Sequence, residues 1–402
     1  MKRQIKFVLV LLFVNFITPV ASADIGFQNW LQTFRQQAIS EGILPKVFDQ
    51  SLSGLTPDDK VIALDSNQAE FTRNIWDYLN NATSQARIKK GKALMQKHRR
   101  LFDDIEARYG VQREIITAIW AMESDFGRNY GNQNVLRSLA TLAYSSQSQK
   151  RIKFATKELL LTLQIIQNKK IKASQLVGSW AGAMGQPQFM PSSYLNYGID
   201  YDRDGSIDLW RSLPDVFASI ANFLAESGWR KNESWGVEVE LPRQFDWRLN
   251  SSSYQLRFQQ WQDLNIHKID KSEYQYPNRL ASLFIPAGHT GPIFLMSHNF
   301  YVIKTYNQSS SYALAVAQLS NLFGLGDKIR GVWPFNDKAL SIEQVKRIQA
   351  LLNSQGHNVG AVDGKIGTKT REAIRTWQLE NGFFGDGYAN LSFLIDLELM
   401  SK

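Results

Sequence analysis

The chain has 402 residues, 46 Lys and Arg against 37 Asp and Glu for a formal charge of +9, and 44% hydrophobic residues of which many are aromatic. This composition supplies packed cores for two or three domains and excludes wholesale disorder. The absence of cysteine excludes thiol catalysis, zinc–thiolate sites, disulfide staples and a lipid-accepting cysteine.

The N-terminus reads as an export signal rather than part of the fold. Lys2, Arg3 and Lys6 form a basic region, Phe7 to Ile17 an apolar run broken by Asn15, and Pro19-Val-Ala-Ser-Ala23 a small-x-small pattern. Cleavage is expected after Ala23. The run is short for a membrane span, and an uncleaved anchor is the other reading. Without Lys2, Arg3 and Lys6, 43 basic residues remain against 37 acidic ones, a charge of +6. That suits a polyanionic partner such as cell wall or a membrane surface. Nucleic acid is not expected, since no nucleic-acid motif is present.

Residues 24 to about 110 are predicted helical. Phe27, Trp30, Leu31 and Phe34 keep helical spacing, Ser53-Gly-Leu-Thr-Pro57 is a turn, and Phe71 to Tyr78 is an aromatic stretch. Trp76 and Tyr78 line a sugar cleft or simply pack. Arg87 to Arg100 reads as a basic, solvated helix.

The stretch Ile115 to Gly127 carries the sharpest signal. Ile116, Ile119, Trp120 and Glu123 fall on one helical face, so a glutamate sits where burial is expected. Gly127 suggests a stop, which puts Glu123 in the last turn, at the negative end of the dipole. Burial and dipole both favour the neutral acid. A carboxylic acid protonated near neutral pH is what glycoside cleavage requires. The bland alternative is a helix-end glutamate that snorkels or pairs with an arginine.

Gly127-Arg-Asn-Tyr-Gly131 is a predicted loop, and Leu136 to Tyr144 and Ile152 to Ile166 are predicted helices. Lys150 and Arg151 between them are candidates for anionic substrate groups. Ser179 to Ser193 combines small residues that permit close backbone approach with two prolines. Gln188 and Phe189 on this stiff segment offer one polar and one stacking group to a saccharide; a tight structural crossing is the alternative.

Asp200, Asp202 and Asp204 with Gly205 match positions 1, 3, 5 and 6 of an EF-hand calcium loop. Arg211 replaces the usual Glu at position 12, and Asp215 is the candidate closing ligand. A structural Ca2+ or Na+ held by Asp200, Asp202, Asp204, Ser206 and Asp215 is expected; no cofactor is expected for the chemistry.

Residues from 235 to about 305 change to strand-like alternation, as in Val237-Glu-Val-Glu-Leu241, with short strands and turns through Phe294 to Ile303. This predicts a β-rich insert. Tyr312 to Phe323 returns to helix. Residues 326–336 read as a linker. Residues 337–402 form a small helical module, with a capping box from Ser341 and Gln344 and a glycine-punctuated turn at 360–368.

Taken jointly, Tyr109-Gly-Val111, Ile119 to Gly127, Ser179 to Ser193, the Asp200 loop, Gly228-Trp229, and Tyr306-Asn307 with Tyr312 resemble the membrane-bound lytic murein transglycosylase B family over about 24–325. The tail resembles the peptidoglycan-binding module of wall hydrolases, through Gln349, Leu351-Leu352, Val362-Asp-Gly364, Gly367, Thr370 and Trp377-Gln378. The resemblance implies a mainly α (α+β), lysozyme-like catalytic domain with Glu123 as the single acid and then base. The implied reaction cleaves the MurNAc–GlcNAc β-1,4 bond without water and leaves 1,6-anhydroMurNAc. Tyr78, Ser179, Gln188, Phe189, Tyr306, Asn307 and Tyr312 are implied to line the glycan groove, and Lys150 and Arg151 to face peptide stems. Phe154 and Phe223 stand where some members have sugar-contacting tyrosines. A periplasmic monomer is expected, with glycan strands as substrate and other cell-wall enzymes as candidate partners. The competing readings are a hydrolytic muramidase and a non-catalytic wall-binding scaffold. Asp125 lies about 200° round the helix from Glu123, so no sequence-local second carboxylate is apparent.

Overall fold

The computed structural model describes residues 20–66, 74–169, 171–251, 254–324 and 326–401. The expected export signal therefore lies almost wholly outside the described residues, as does Phe71. No helix among the described residues is long and apolar enough to cross a membrane. The chain is mainly helical, with a small sheet inserted late, as the sequence predicts.

One apolar cluster runs from Phe27 to Phe323 and holds the helical part together. Two of its helices are hydrophobic nearly all round. Arg113–Ser124 buries every residue from Ile115 to Ala121, and Ser310–Phe323 buries every residue from Tyr312 to Ser320. They pack on each other, with Gln85–Lys97 and Leu213–Glu226 also against the first. A helix buried on all sides lies at the centre of a bundle. The basic stretch predicted as one helix is two, Gln85–Lys97 and Arg99–Tyr109, broken at His98. The first is not simply solvated, since it buries Ile88, Gly91 and Met95.

The insert is a five-stranded antiparallel sheet in the order Leu256–Arg257, Leu280–Phe284, Ile293–Met296, Gly236–Glu240, His267–Lys268. Strand Ile293–Met296 is buried on both faces. Ile293 and Leu295 enter the insert's own core around Trp261, whereas Phe294 and Met296 enter the main cluster. Alternate side chains thus join two cores, which is why this strand has no polar face. The sheet ends sooner than the expected boundary near 305. His298–Tyr306 is a helix that buries Phe300, Val302 and Ile303 against the main cluster.

The segment 326–336 is strapped to the insert and to the helical part rather than hanging free. Glu238 accepts bonds from the backbone N–H of Arg330 (2.8 Å) and Gly331 (2.7 Å). Trp333 and Phe335 lie 6.1 and 6.4 Å from the ring of Trp76. So Trp76 packs, the plainer of its two readings. Beyond it, Ile342–Ser354, Thr368–Glu380 and Leu391–Leu399 enclose a separate core around Trp377. The capping box is present, with Ser341 Oγ on Gln344 N–H and Gln344 Oε1 on Ser341 N–H. The buried Gln349 amide fastens the glycine turn: its Oε1 accepts from Gly364 N–H and its Nε2 donates to Asp363 Oδ1.

Candidate active site

The Arg113–Ser124 helix ends through a run of left-handed residues, Asp125 (φ 50°), Phe126 (φ 61°) and Gly127 (φ 77°). Glu123 thus lies in the last turn, as expected, with the break two residues before the glycine. Each non-glycine residue in that conformation costs about 1–2 kcal/mol. Surrounding contacts hold the run in place. Phe126 packs edge-on against Trp120 at 5.3 Å. Lys90 Nζ donates to the Asp125 carbonyl at 3.3 Å, and Gly127 N–H donates to Ser124 Oγ at 3.0 Å. A Cβ at position 127 would fall 2.2 Å from Gln186 Oε1, so glycine is required for space as well as for φ.

Gln186 is buried and is the hub the sequence did not disclose. Its Oε1 accepts from Trp120 Nε1 at 2.7 Å, and its Nε2 donates to the Trp210 carbonyl at 2.8 Å. Trp210 Nε1 donates in turn to the Val177 carbonyl at 2.7 Å. One amide therefore ties the Glu123 helix to the glycine-rich segment and to the end of the acidic loop. The buried Glu158 holds the far end of the glycine-rich segment by accepting from Ser192 N–H at 2.9 Å. The only sequence signal for Gln186 was a long polar side chain amid small residues.

Glu123 keeps a partly open surface while protein crowds it closely. Burial pushes its pKa up to about 7, against the opposing effect of the Tyr312 hydroxyl, which donates to Glu123 Oε1 at 2.6 Å. Among the described residues, no carboxylate is a cause of that shift. Asp125 pairs instead with Arg128. Tyr78, Tyr306 and Tyr312 all have phenols raised above the ordinary value by burial and then by the Glu123 charge. Three tyrosines from the Ile75–Ala82, His298–Tyr306 and Ser310–Phe323 helices therefore surround the acid. Tyr306 is fixed by donating to the Pro187 carbonyl at 2.7 Å, and its ring lies 4.7 Å from Phe223 and 5.9 Å from Phe189.

The other candidate residues divide by placement. Phe189 is 2% exposed, so its ring backs Tyr306 from the core instead of facing a sugar. Phe223 does the same, whereas Phe154 is exposed. Gln188, at φ 52°, spends its Nε2 on the carbonyls of Tyr130 and Gly185. Ser179 Oγ accepts from Ala183 N–H at 3.0 Å. Asn307 is exposed, and its Oδ1 caps Ser309 N–H. Lys150 is exposed. Arg151 pairs with Asp65 at 2.9 Å and lies over the ring of Trp180 at 5.8 Å, next to Ser179.

In the acidic loop, one carboxylate oxygen from each of Asp200, Asp202 and Asp204 lies within 4.8 Å of the others. Gly205 (φ 93°) makes the sharp turn at the sixth position. Three carboxylates this close, folded inward, suit a hard cation with oxygen ligands. Asp215 has a different task. It is fully buried, and its two oxygens accept from Tyr201 N–H and Asp208 N–H, both at 2.8 Å. It closes the loop through the backbone, each oxygen holding one loop N–H. Ser206 Oγ likewise donates to Asp204 Oδ1, which leaves its backbone carbonyl at the position where such loops coordinate through the main chain.

Residues 26–321 match the family model of the transglycosylase SLT domain, and residues 341–394 match that of a putative peptidoglycan binding domain. Membrane-bound lytic murein transglycosylase B of Escherichia coli is 29% identical over 289 residues, covering 66% of this chain and 74% of that protein. The crystal structure of SltB3 from Pseudomonas aeruginosa, in complex with NAG-NAM-pentapeptide, superposes with a TM-score of 0.88 at 43% identity, covering 92% of this chain and 99% of that one. Escherichia coli Slt35, solved in complex with calcium, gives a TM-score of 0.63 at 28% identity over 73% of this chain and 92% of that one. The lysozyme-like helical domain, its insert and the helical tail module are thus a shared architecture. The chain belongs to the transglycosylase SLT domain family, the lytic transglycosylases of peptidoglycan.

Proposed function

We propose that this enzyme cleaves the MurNAc–GlcNAc β-1,4 bond without water and leaves 1,6-anhydroMurNAc ends, with Glu123 as acid and then base. The observation that carries this reading is a carboxyl group poised at about 7, hydrogen-bonded to a phenol, with no second carboxylate among the described residues contributing to its shift. A retaining hydrolase places its second carboxylate about 5–5.5 Å from the first. A charge that close would push the acid's pKa up and enter its causes.

In the first step Glu123 gives its proton to the glycosidic oxygen as the C1–O bond breaks, and GlcNAc leaves with a free hydroxyl. The N-acetyl group of MurNAc assists at C1. In the second, the Glu123 carboxylate takes the proton of the C6 hydroxyl while O6 bonds to C1. The acid is regenerated and no water is consumed. The Tyr312 hydroxyl steadies the carboxylate between the two steps, which is where a hydrogen bond to the charged form has most value. Tyr78, Ser179, Gln188, Tyr306 and Asn307 would contact the glycan, Phe189 would act through Tyr306, and Lys150 and Arg151 would face peptide stems.

A Ca2+ ion would be held by Asp200, Asp202, Asp204 and the Ser206 carbonyl, with Asp215 supporting the loop from within. It would supply rigidity to the segment that Gln186 joins to the Glu123 helix, and no step of the reaction passes through it. The basic, apolar N-terminal stretch supports export to the periplasm, and the tail module supports retention on the wall. Mass spectrometry of digested sacculi tests the chemistry: anhydro ends that vanish with Glu123→Gln are expected, and reducing MurNAc ends would overturn the non-hydrolytic reading.

A further inference from the structure

A cavity of about 490 Å³ lies between the tail module and the catalytic part, and no step above uses it. Its volume is in the range of small-ligand pockets. Lys304, Lys338, Arg371 and Arg375 line it, against two acids, Glu372 and Asp386. Both acids are already engaged. Glu372 pairs with Arg375. Asp386 accepts from the ring of His289 at 2.9 Å, from Gln378 Nε2 at 2.9 Å and from Tyr388 N–H at 3.0 Å. Arg371 and Lys304 make no ion pair or side-chain hydrogen bond among the described residues, and burial lowers the pKa of both. A part-buried guanidinium without a bonded partner, attracted only by the nearby Tyr388 and Asp386, gains from an anion that bonds to it.

The walls favour the same sign of ligand. Ser310 and Ser311, the first turn of the Ser310–Phe323 helix, face the cavity. So do Gly367 and Thr368, where the Thr368–Glu380 helix begins without a side-chain cap. First-turn N–H groups have no intrahelical acceptor and attract negative charge. The segment between Tyr306 and Tyr312 has two sides. Its end residues meet Glu123, and Gln308 to Ser311 line the cavity.

We infer that this interdomain cavity receives a carboxylate of a peptide stem carried by the strand in the groove, bound by Arg371 and Lys304. The inference rests on the proposed function, since stems are the anionic part of that substrate. It gives the tail module a role in holding substrate at the reacting bond, in addition to attachment to the wall. A charge-assisted bond of this kind changes affinity by about tenfold or more.

The test uses the full-length protein and two substrates: glycan strands that carry stems, and strands stripped of them by an amidase. Arg371→Gln and Lys304→Gln should each raise KM on stem-bearing strands about tenfold, hold kcat, and leave cleavage of stripped strands unchanged. Direct binding of a free tetrapeptide stem and its fully amidated form gives a readout that does not depend on a variant folding. The wild type should prefer the acid. Equal affinity for acid and amide, or equal KM changes on both kinds of strand, overturns the inference. If the wild type cuts neither strand, the enzymatic reading fails; if it cuts both with the same KM, only the inference fails.

Discussion

Replacing Glu123 with Gln should stabilise the protein at alkaline pH while abolishing turnover. The folded-state pKa of about 7 lies above the ordinary 4.5. Between those values the folded protein holds a proton that the unfolded chain has released. Stability therefore falls as pH rises from about 4.5 to about 7 and is level above that. The interval corresponds to about 3 kcal/mol lost in full by pH 8. Gln keeps the size of the side chain, offers a carbonyl to the Tyr312 hydroxyl, and cannot ionise. Urea unfolding at pH 4.5, 6 and 8 should therefore show the variant near wild-type stability at the lowest pH and ahead by up to about 3 kcal/mol at the highest. Loss of proton transfer should cost at least about 10²–10⁴ in rate on sacculi. A stability gap that is constant across pH, or that shrinks as pH rises, would refute the assignment of a buried, neutral acid.

Tyr312→Phe removes a bond that favours the anion, so the pH at which kcat/KM falls should move upward by about one unit or more; a downward move contradicts the geometry. Gly127→Ala drives a methyl into Gln186 at a residue with φ 77°, and thermal unfolding should report a loss of about 2–4 kcal/mol. Ca2+ at a hundred times its Kd should add about 2.7 kcal/mol to stability, and Asp200→Ala should remove that gain while changing turnover of soluble substrate far less. An unchanged melting temperature on adding Ca2+ after chelation would count against the ion. Glu238→Gln weakens the clamp on Arg330 and Gly331, so trypsin should cut after Lys328 and Arg330 faster than in the wild type.

The elements legible in the sequence were those whose cause is local. The capping box of Ser341 and Gln344 needs only four residues, and the acidic loop only six. The end of the insert was not legible, because Phe294 to Met296 and Phe300 to Ile303 are both short apolar runs, and periodicity cannot separate a strand buried on both faces from a buried helix segment. Ser297, at the N-cap of His298–Tyr306, was the available signal. Phe189 and Asp215 show a second limit. A motif puts a residue near the site, but which way its side chain turns depends on elements distant in sequence, here Tyr306 for the first and the loop backbone for the second.

The crowding around Glu123 was legible in the sequence only in part. One-sided periodicity argued for burial, yet the helix is buried on every side, and an acid at its middle would have found no groove to serve. What leaves Glu123 partly open is that the helix stops one residue later. Three left-handed residues turn the chain away, and Gln186 occupies the space beside Gly127. The acid is thus left at the edge of the main apolar cluster, near enough for burial to raise its pKa and still partly open at the surface. Local strain, the glycine and the buried amide hub are one device, and its parts come from distant segments, joined by the bond from Trp120 Nε1 to Gln186 Oε1 across 66 residues of chain. Sequence spacing alone carries no trace of such a joint. A change at Gln186, whose amide bonds only to protein groups among the described residues, should therefore disturb Glu123 through the helix end. Gln186→Leu should leave two buried partners, Trp120 Nε1 and the Trp210 carbonyl, without their bonds, at a cost of about 1–3 kcal/mol each. It should also shift the pH profile of cleavage, which a purely structural loss elsewhere in the core would leave in place.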